Sequence, residues 1–151
     1  MAETLVSTEI IEDFGAAFSK LYTLLMEATL PLGMSMGQVR TLAALQDSGP
    51  QRVTGLAELL RVTQPTTSNV VKRMEGRGWV VRVVDSEDHR AVEVCLTKTG
   101  KDALDAFIEN RSQLLRAFFS RLPDGDRYAV IAAIPALHKL IKLAQGDSQQ
   151  H

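Results

Sequence analysis

The chain has 151 residues, 45% of them hydrophobic and 23% charged, with a formal net charge of −1. This composition reads as one soluble globular domain large enough to bury a core, and the near-zero charge argues against a generally basic nucleic-acid protein. The single cysteine, Cys95, excludes an intrachain disulfide and suits a reducing cytoplasm. No apolar run reads as long enough to cross a bilayer, and Glu3, Glu9, Glu12 and Asp13 argue against a secretory signal. The charge is unevenly placed. Residues 1–60 carry 3 Lys/Arg and 7 Asp/Glu, residues 61–101 carry 8 and 5, and residues 102–151 carry 6 of each. The middle third is therefore locally basic, and a local patch is enough, since screening confines attraction to about 8–10 Å.

In chain order, helical spacing of Ile10, Ile11, Phe14, Ala17, Phe18, Leu21, Leu24, Leu25 and Ala28 predicts a first helix from Thr8, its expected N-cap, to Ala28. Leu30-Pro31-Leu32-Gly33 ends it. Ser35-Met36-Gly37-Gln38 has capping-box spacing and opens a second helix closed by Ser48-Gly49-Pro50. A short helix, Thr54 to Arg61, follows. Val62 and Thr63 then lead tightly into a helix from Gln64 to about Arg77. Thr63 caps this helix, Pro65 fits its first turn, and Gly78 ends it. Thr67, Val70, Val71 and Met74 are its expected inward side.

The period then changes. Trp79 to Val84 reads as a strand, as does Ala91 to Leu96, with Val92, Val94 and Leu96 on one face. Asp85 to Arg90 form a polar hairpin tip. Thr97 caps a long helix from Lys98 to about Arg121. Leu122-Pro123-Asp124-Gly125 reads as a turn before a last helix, Asp126 to Ala144, in which Pro135 is expected to cause a kink or break the hydrogen-bond ladder. The tail from Gln145 to His151 is expected to be disordered. The fold class is mainly α, a winged helix-turn-helix lobe over residues 35–100 with dimerisation helices over 1–30 and 101–144. The end helices hold more apolar surface than the lobe can cover. Pairing with each other and with a second copy of the chain is the simplest way to bury it.

Three short helices followed by a hairpin give the winged-helix order. In a helix-turn-helix the second helix meets base edges with its N-terminal residues. Here these are Gln64, Pro65, Thr66, Ser68 and Asn69. The amides of Gln64 and Asn69 suit adenine, and Thr66 offers a hydroxyl and a methyl group. Lys72 and Arg73, one turn later, suit phosphates. A capped helix with a solvated polar face would look the same in isolation; the hairpin behind it favours the DNA reading.

At this point the sequence resembles the MarR family of bacterial regulators over nearly its whole length. The resemblance is carried by Leu32-Gly33-Met34-Ser35, by Leu56-Ala57-Glu58-Leu59-Leu60, and by Thr66 to Glu75 followed by Gly78-Trp79-Val80. The tip Asp85 to Arg90 and Leu96-Thr97-Lys98-Thr99-Gly100 complete it. The resemblance implies a triangular homodimer with interleaved terminal helices and two winged lobes on a palindromic site of double-stranded DNA. It places Arg90 as the wing arginine of the minor groove and Asp88 as the acid that steadies it, with His89 secondary. Glu87 departs from the family, many of whose members are basic there. The resemblance also implies a small aromatic or lipophilic effector between the dimer region and the lobe, near Tyr22, Met26, Met34 and Met36; ordinary core packing of these four residues is the alternative.

No cofactor, metal site, catalytic constellation or membrane partner is expected. His89, His138 and His151 are scattered. Some proteins of this type sense peroxide through a cysteine in the first helix; this chain has none there, so thiol sensing is not expected of it. The reading is of a cytoplasmic, ligand-responsive repressor. The alternative is a winged-helix protein-interaction module that has lost DNA binding.

Overall fold

The computed structural model describes residues 7–29, 33–84 and 91–147. The element order is α1 (Thr8–Thr29), α2 (Met36–Ser48), β1 (Gln51–Arg52), α3 (Val53–Leu60), α4 (Gln64–Gly76), β2 (Val80–Val84), β3 (Val92–Leu96), α5 (Lys98–Phe119) and α6 (Asp124–Asp147). The chain divides into two compact units, Met1–Arg111 and Ser112–His151.

Local chemistry sets most boundaries in the first unit. The Ser35 hydroxyl accepts from the Gln38 N–H at 3.3 Å while the Gln38 carboxamide accepts from the Ser35 N–H at 2.9 Å, so the capping box at the start of α2 is present in full. At the end of α4 the Trp79 N–H donates to Met74 O at 3.0 Å and the Gly78 N–H to Glu75 O at 2.9 Å. This is a Schellman closure, and it needs Gly78 at its observed φ of +70°. The first helix is capped one residue earlier than expected: Ser7 Oγ, not Thr8, accepts from the Ile10 N–H.

The sheet has the order β1-β3-β2, antiparallel throughout. Its register pairs Val80 with Leu96 and Val84 with Val92, and β1 adds Gln51 opposite Val94 and Arg52 opposite Glu93. The core lies between α2, α3, α4, the sheet and the first half of α5. Leu42, Leu56, Val71, Met74 and Val94 are wholly buried there, with Leu104 and Phe107 closing the α5 side. Each such side chain stabilises the lobe by about 1.5–3 kcal/mol. The expected common face of Val92, Val94 and Leu96 is buried only in part, because Val92 lies beyond the core and stays 43% exposed.

α1 leaves a long apolar stripe uncovered. Ile10, Ile11, Phe14, Phe18, Leu21 and Leu24 are all exposed, and the rings of Phe14 and Phe18 stack with centroids 6.2 Å apart.

In the second unit, Arg127 ties the turn between α5 and α6. Its Nε donates to Phe119 O at 3.0 Å and its Nη2 to Leu122 O at 2.9 Å. α6 begins at Asp124, so the last two residues of the expected turn lie within the helix. It runs on through Pro135, which removes one donor from the ladder without ending the helix. It also continues to Asp147, which places Gln145 and Gly146 of the expected disordered tail in helix. Asp124–Gly146 is long and apolar enough to cross a membrane by length and composition alone, which corrects the sequence reading on that point. α6 exposes Val130, Ile131, Ile134, Leu140, Ile141 and Leu143 within its own unit.

Candidate nucleic-acid interface

α3 and α4 form a helix-turn-helix, and the turn is built by short-range bonds. Arg61 takes a left-handed φ of +54°, where its N–H reaches Glu58 O and the Val62 N–H reaches Ala57 O. Arg40 of α2 donates from Nη2 to Leu60 O at 2.7 Å, setting a cation at the carbonyl end of α3. Thr63 then caps α4. Its hydroxyl accepts from the Thr66 N–H at 3.4 Å and shares a hydrogen bond of 2.8 Å with the Thr66 hydroxyl. Thr67 is turned inward, 1% exposed, with its hydroxyl on Thr63 O. Replacing such a cap by alanine costs typically about 1 kcal/mol.

This arrangement leaves one side of α4 bare. Gln64, Pro65, Thr66, Asn69, Lys72 and Arg73 are exposed, and Ser68 is half-buried. Pro65 lies in the first turn, as expected. The first turn holds no acid, and among the described residues neither Lys72 nor Arg73 forms an ion pair. Only Glu75 is acidic on this helix, and it is engaged: its Oε2 accepts from Arg82 Nε at 3.1 Å, tying α4 to the wing strand β2. The bare side thus combines amides, hydroxyls and two free cations. That set can read base edges and hold phosphates.

Asp88, His89 and Arg90 lie outside the described residues. Of the four candidate effector contacts, Met34 is buried in the core, Met26 and Met36 are half-buried against it, and Tyr22 is exposed. Three of the four thus touch the core of the lobe. Sequence reasoning missed Arg40, the Glu75–Arg82 pair and Arg77, whose guanidinium lies 4.7 Å from the Trp79 ring centroid. The spacing of Arg77 four residues after Arg73 was the available signal.

Cys95 on β3 is partly buried. Burial pushes its thiol pKa upward, and the neighbouring Glu93 carboxylate adds to the effect. A raised pKa disfavours the thiolate, so this is a poor nucleophile. Among the described residues no group of His, Cys, Asp and Glu is placed to hold a metal ion.

A helix-turn-helix with a bare polar second helix, backed by a hairpin on a three-stranded sheet, defines a winged-helix protein. Residues 34–92 match the MarR family profile. The chain is similar to the HTH-type transcriptional repressor MdtR of Bacillus subtilis, with 23% identity over 90% of this chain and 86% of the relative. It is 35% identical to the HTH-type transcriptional repressor NicR of Pseudomonas putida over 62% of this chain and 60% of that one. Among solved structures, a MarR family protein from Bacillus stearothermophilus aligns with a TM-score of 0.75 and 20% identity, covering 91% of this chain and 99% of the other. A mutant of Staphylococcus aureus MepR bound to an oligodeoxyribonucleotide aligns at TM-score 0.66 and 21% identity, covering 85% and 97%. Bordetella bronchiseptica BpsR, whose DNA binding is regulated by 6-hydroxynicotinic acid, aligns at TM-score 0.58 and 20% identity, covering 82% and 91%. The match to the MarR family model covers most of the winged-helix lobe, the solved structures share the fold, and the two relatives named here are transcriptional repressors.

Proposed function

We propose that this protein is a cytoplasmic homodimeric repressor that reads a palindromic promoter site and releases it on binding a small aromatic or lipophilic effector. The observation that carries the reading is the bare side of α4, where Gln64, Thr66 and Asn69 stand ahead of the unpaired Lys72 and Arg73. Gln64, Pro65, Thr66, Ser68 and Asn69 approach base edges, and Lys72 and Arg73 approach phosphates. Asp88, His89 and Arg90 act from the wing in the adjacent minor groove. The exposed apolar stripes of α1 and α6 support a dimer, since a monomer would present both to water. A dimer places two recognition helices about one helical turn of DNA apart, and an effector acts by favouring a different spacing. Tyr22, Met26, Met34 and Met36 remain the proposed effector contacts; support for an effector comes from the structural neighbour BpsR, whose DNA binding is regulated by 6-hydroxynicotinic acid.

The test is selection of duplexes from a random pool, followed by anisotropy titration of the selected site. Binding should fall steeply as salt rises. Asn69→Ala should weaken it and relax preference at one base pair per half-site, by about 1–3 kcal/mol. Arg90→Ala should weaken it with little change in the major-groove preference. Failure to enrich any duplex at low salt would refute the proposal.

A further inference from the structure

Between the start of α2 and the second half of α4 lies an open groove of about 560 Å³, lined in part by Gly33, Met34, Ser35, Gln38, Arg73 and Arg77. Arg77 caps α4 and keeps right-handed helical backbone, so it stands one turn beyond Arg73 on the same side. Its guanidinium is held in place. It lies over the Trp79 ring, 4.7 Å from the centroid, with Gly33 beside it close enough that a Cβ there would lie 3.5 Å from Nη2. Gly33 also has a φ of +65°, so glycine is favoured there by its backbone. Neither arginine meets a carboxylate among the described residues, and no described residue lining the groove is acidic. The capping box occupies the N–H groups of Ser35 and Gln38, which leaves the first-turn amides of Met36 and Gly37 without a partner among the described residues. The α2 terminus therefore adds positive potential beside two cations.

We infer that this groove is an oxyanion subsite in which Arg73 and Arg77 grip one anion together. A guanidinium fixed by stacking has already lost its rotamer freedom, so its donors are pre-organised for a phosphate or carboxylate. The anion has two possible sources. One is a backbone phosphate of bound DNA, and that source rests on the reading of α4 proposed above. The other is a free phosphate or carboxylate compound, which would compete with DNA for Arg73.

The experiment uses the full chain as wild type, Arg77→Gln, Arg77→Lys and Arg73→Gln, each checked by thermal melting. Inorganic phosphate and benzoate are titrated calorimetrically into DNA-free protein at constant ionic strength. In parallel, DNA affinity is measured against salt. With a DNA phosphate in the groove, Arg77→Gln lowers the slope of log K against log[salt] by about 0.9 per protomer, and Arg77→Lys keeps most of it. Free anions then give no saturable heat. With a free anion in the groove, phosphate or benzoate binds saturably, the binding is lost in Arg77→Gln and Arg73→Gln, and the Arg77→Gln slope matches wild type. Wild-type slopes together with no saturable anion binding, in variants that melt like wild type, would overturn the subsite. A wild-type chain that binds no DNA would remove the DNA reading, while the anion titration would still decide the groove.

Discussion

Gly100→Ala perturbs the joint between the wing and the first turn of α5. Gly100 is buried, and a Cβ there would overlap the Trp79 carbonyl oxygen and approach Leu96 Cδ1 to 2.9 Å. The same carbonyl accepts from the Thr97 N–H at 3.1 Å, and the Thr97 hydroxyl donates to Gly78 O at 2.6 Å. Thr97 also caps α5 by accepting from the Gly100 N–H at 3.0 Å. Room for a methyl group can come only by lifting α5 from the strand, which loosens these bonds together. Each contributes about 0.5–1.5 kcal/mol. Overpacking a tight contact adds about 1–3 kcal/mol, and alanine's better helix propensity returns about 1 kcal/mol. The net expectation is a loss of about 2–4 kcal/mol, or a fall in Tm of roughly 4–16 °C for a chain of this size. Circular dichroism melts at one fixed protein concentration measure it, because an associating protein has a concentration-dependent Tm. A variant melting within about 2 °C of wild type, less than 1 kcal/mol would produce, would show that α5 does not approach Trp79 this closely.

Other outcomes follow from other parts of the chain. Arg61→Gly should stabilise the protein by about 0.5–1 kcal/mol in denaturant titration, because a left-handed backbone is strained for arginine and the unfolded-state entropy of glycine offsets only part of the relief. Ile131→Glu, in the exposed apolar stripe of α6, should convert the proposed dimer to monomer in sedimentation and weaken DNA binding; an unchanged sedimentation coefficient would place the interface elsewhere. Cys95 should alkylate more slowly at pH 8 than a free thiol, since its raised pKa keeps the thiolate scarce. Glu93→Gln should speed that reaction, as it removes the second cause of the shift.

What could be read in the sequence was whatever a few neighbouring residues decide. Ser35 with Gln38, Thr63 as a cap and Gly78 as a stop are local devices, and each is found in place. β1 was missed because Gln51–Arg52 carries no alternating pattern; it is a strand only because Val94 and Glu93, far along the chain, pair with it. The start of α6 was set two residues late because Pro123-Asp124-Gly125 has turn composition, although proline just before a helix and acids in its first turn favour initiation. The same division holds at the site. The exposed residues of α4 follow from helical periodicity around Val71 and Met74. Arg77 and Arg40 owe their placement to Trp79 and Leu60, contacts between elements that periodicity does not report.

The short strand β1 has a further consequence. Arg52 is paired to β3 and is followed at once by α3, so the sheet fastens the root of the helix-turn-helix to the inner strand of the wing. α3, α4 and β2 all lie within the stretch of chain that this pairing closes. A fragment ending before Glu93 would keep both helices of the reader yet lose the clasp around them. Closing that long stretch is also a non-local step whose entropic cost falls on the lobe as a whole. The wing and the reading helices should therefore form and melt together, with β1 and β3 amides exchanging as one set, and the smallest piece able to hold α4 steady should run from before Gln51 through β3 to the Thr97 joint.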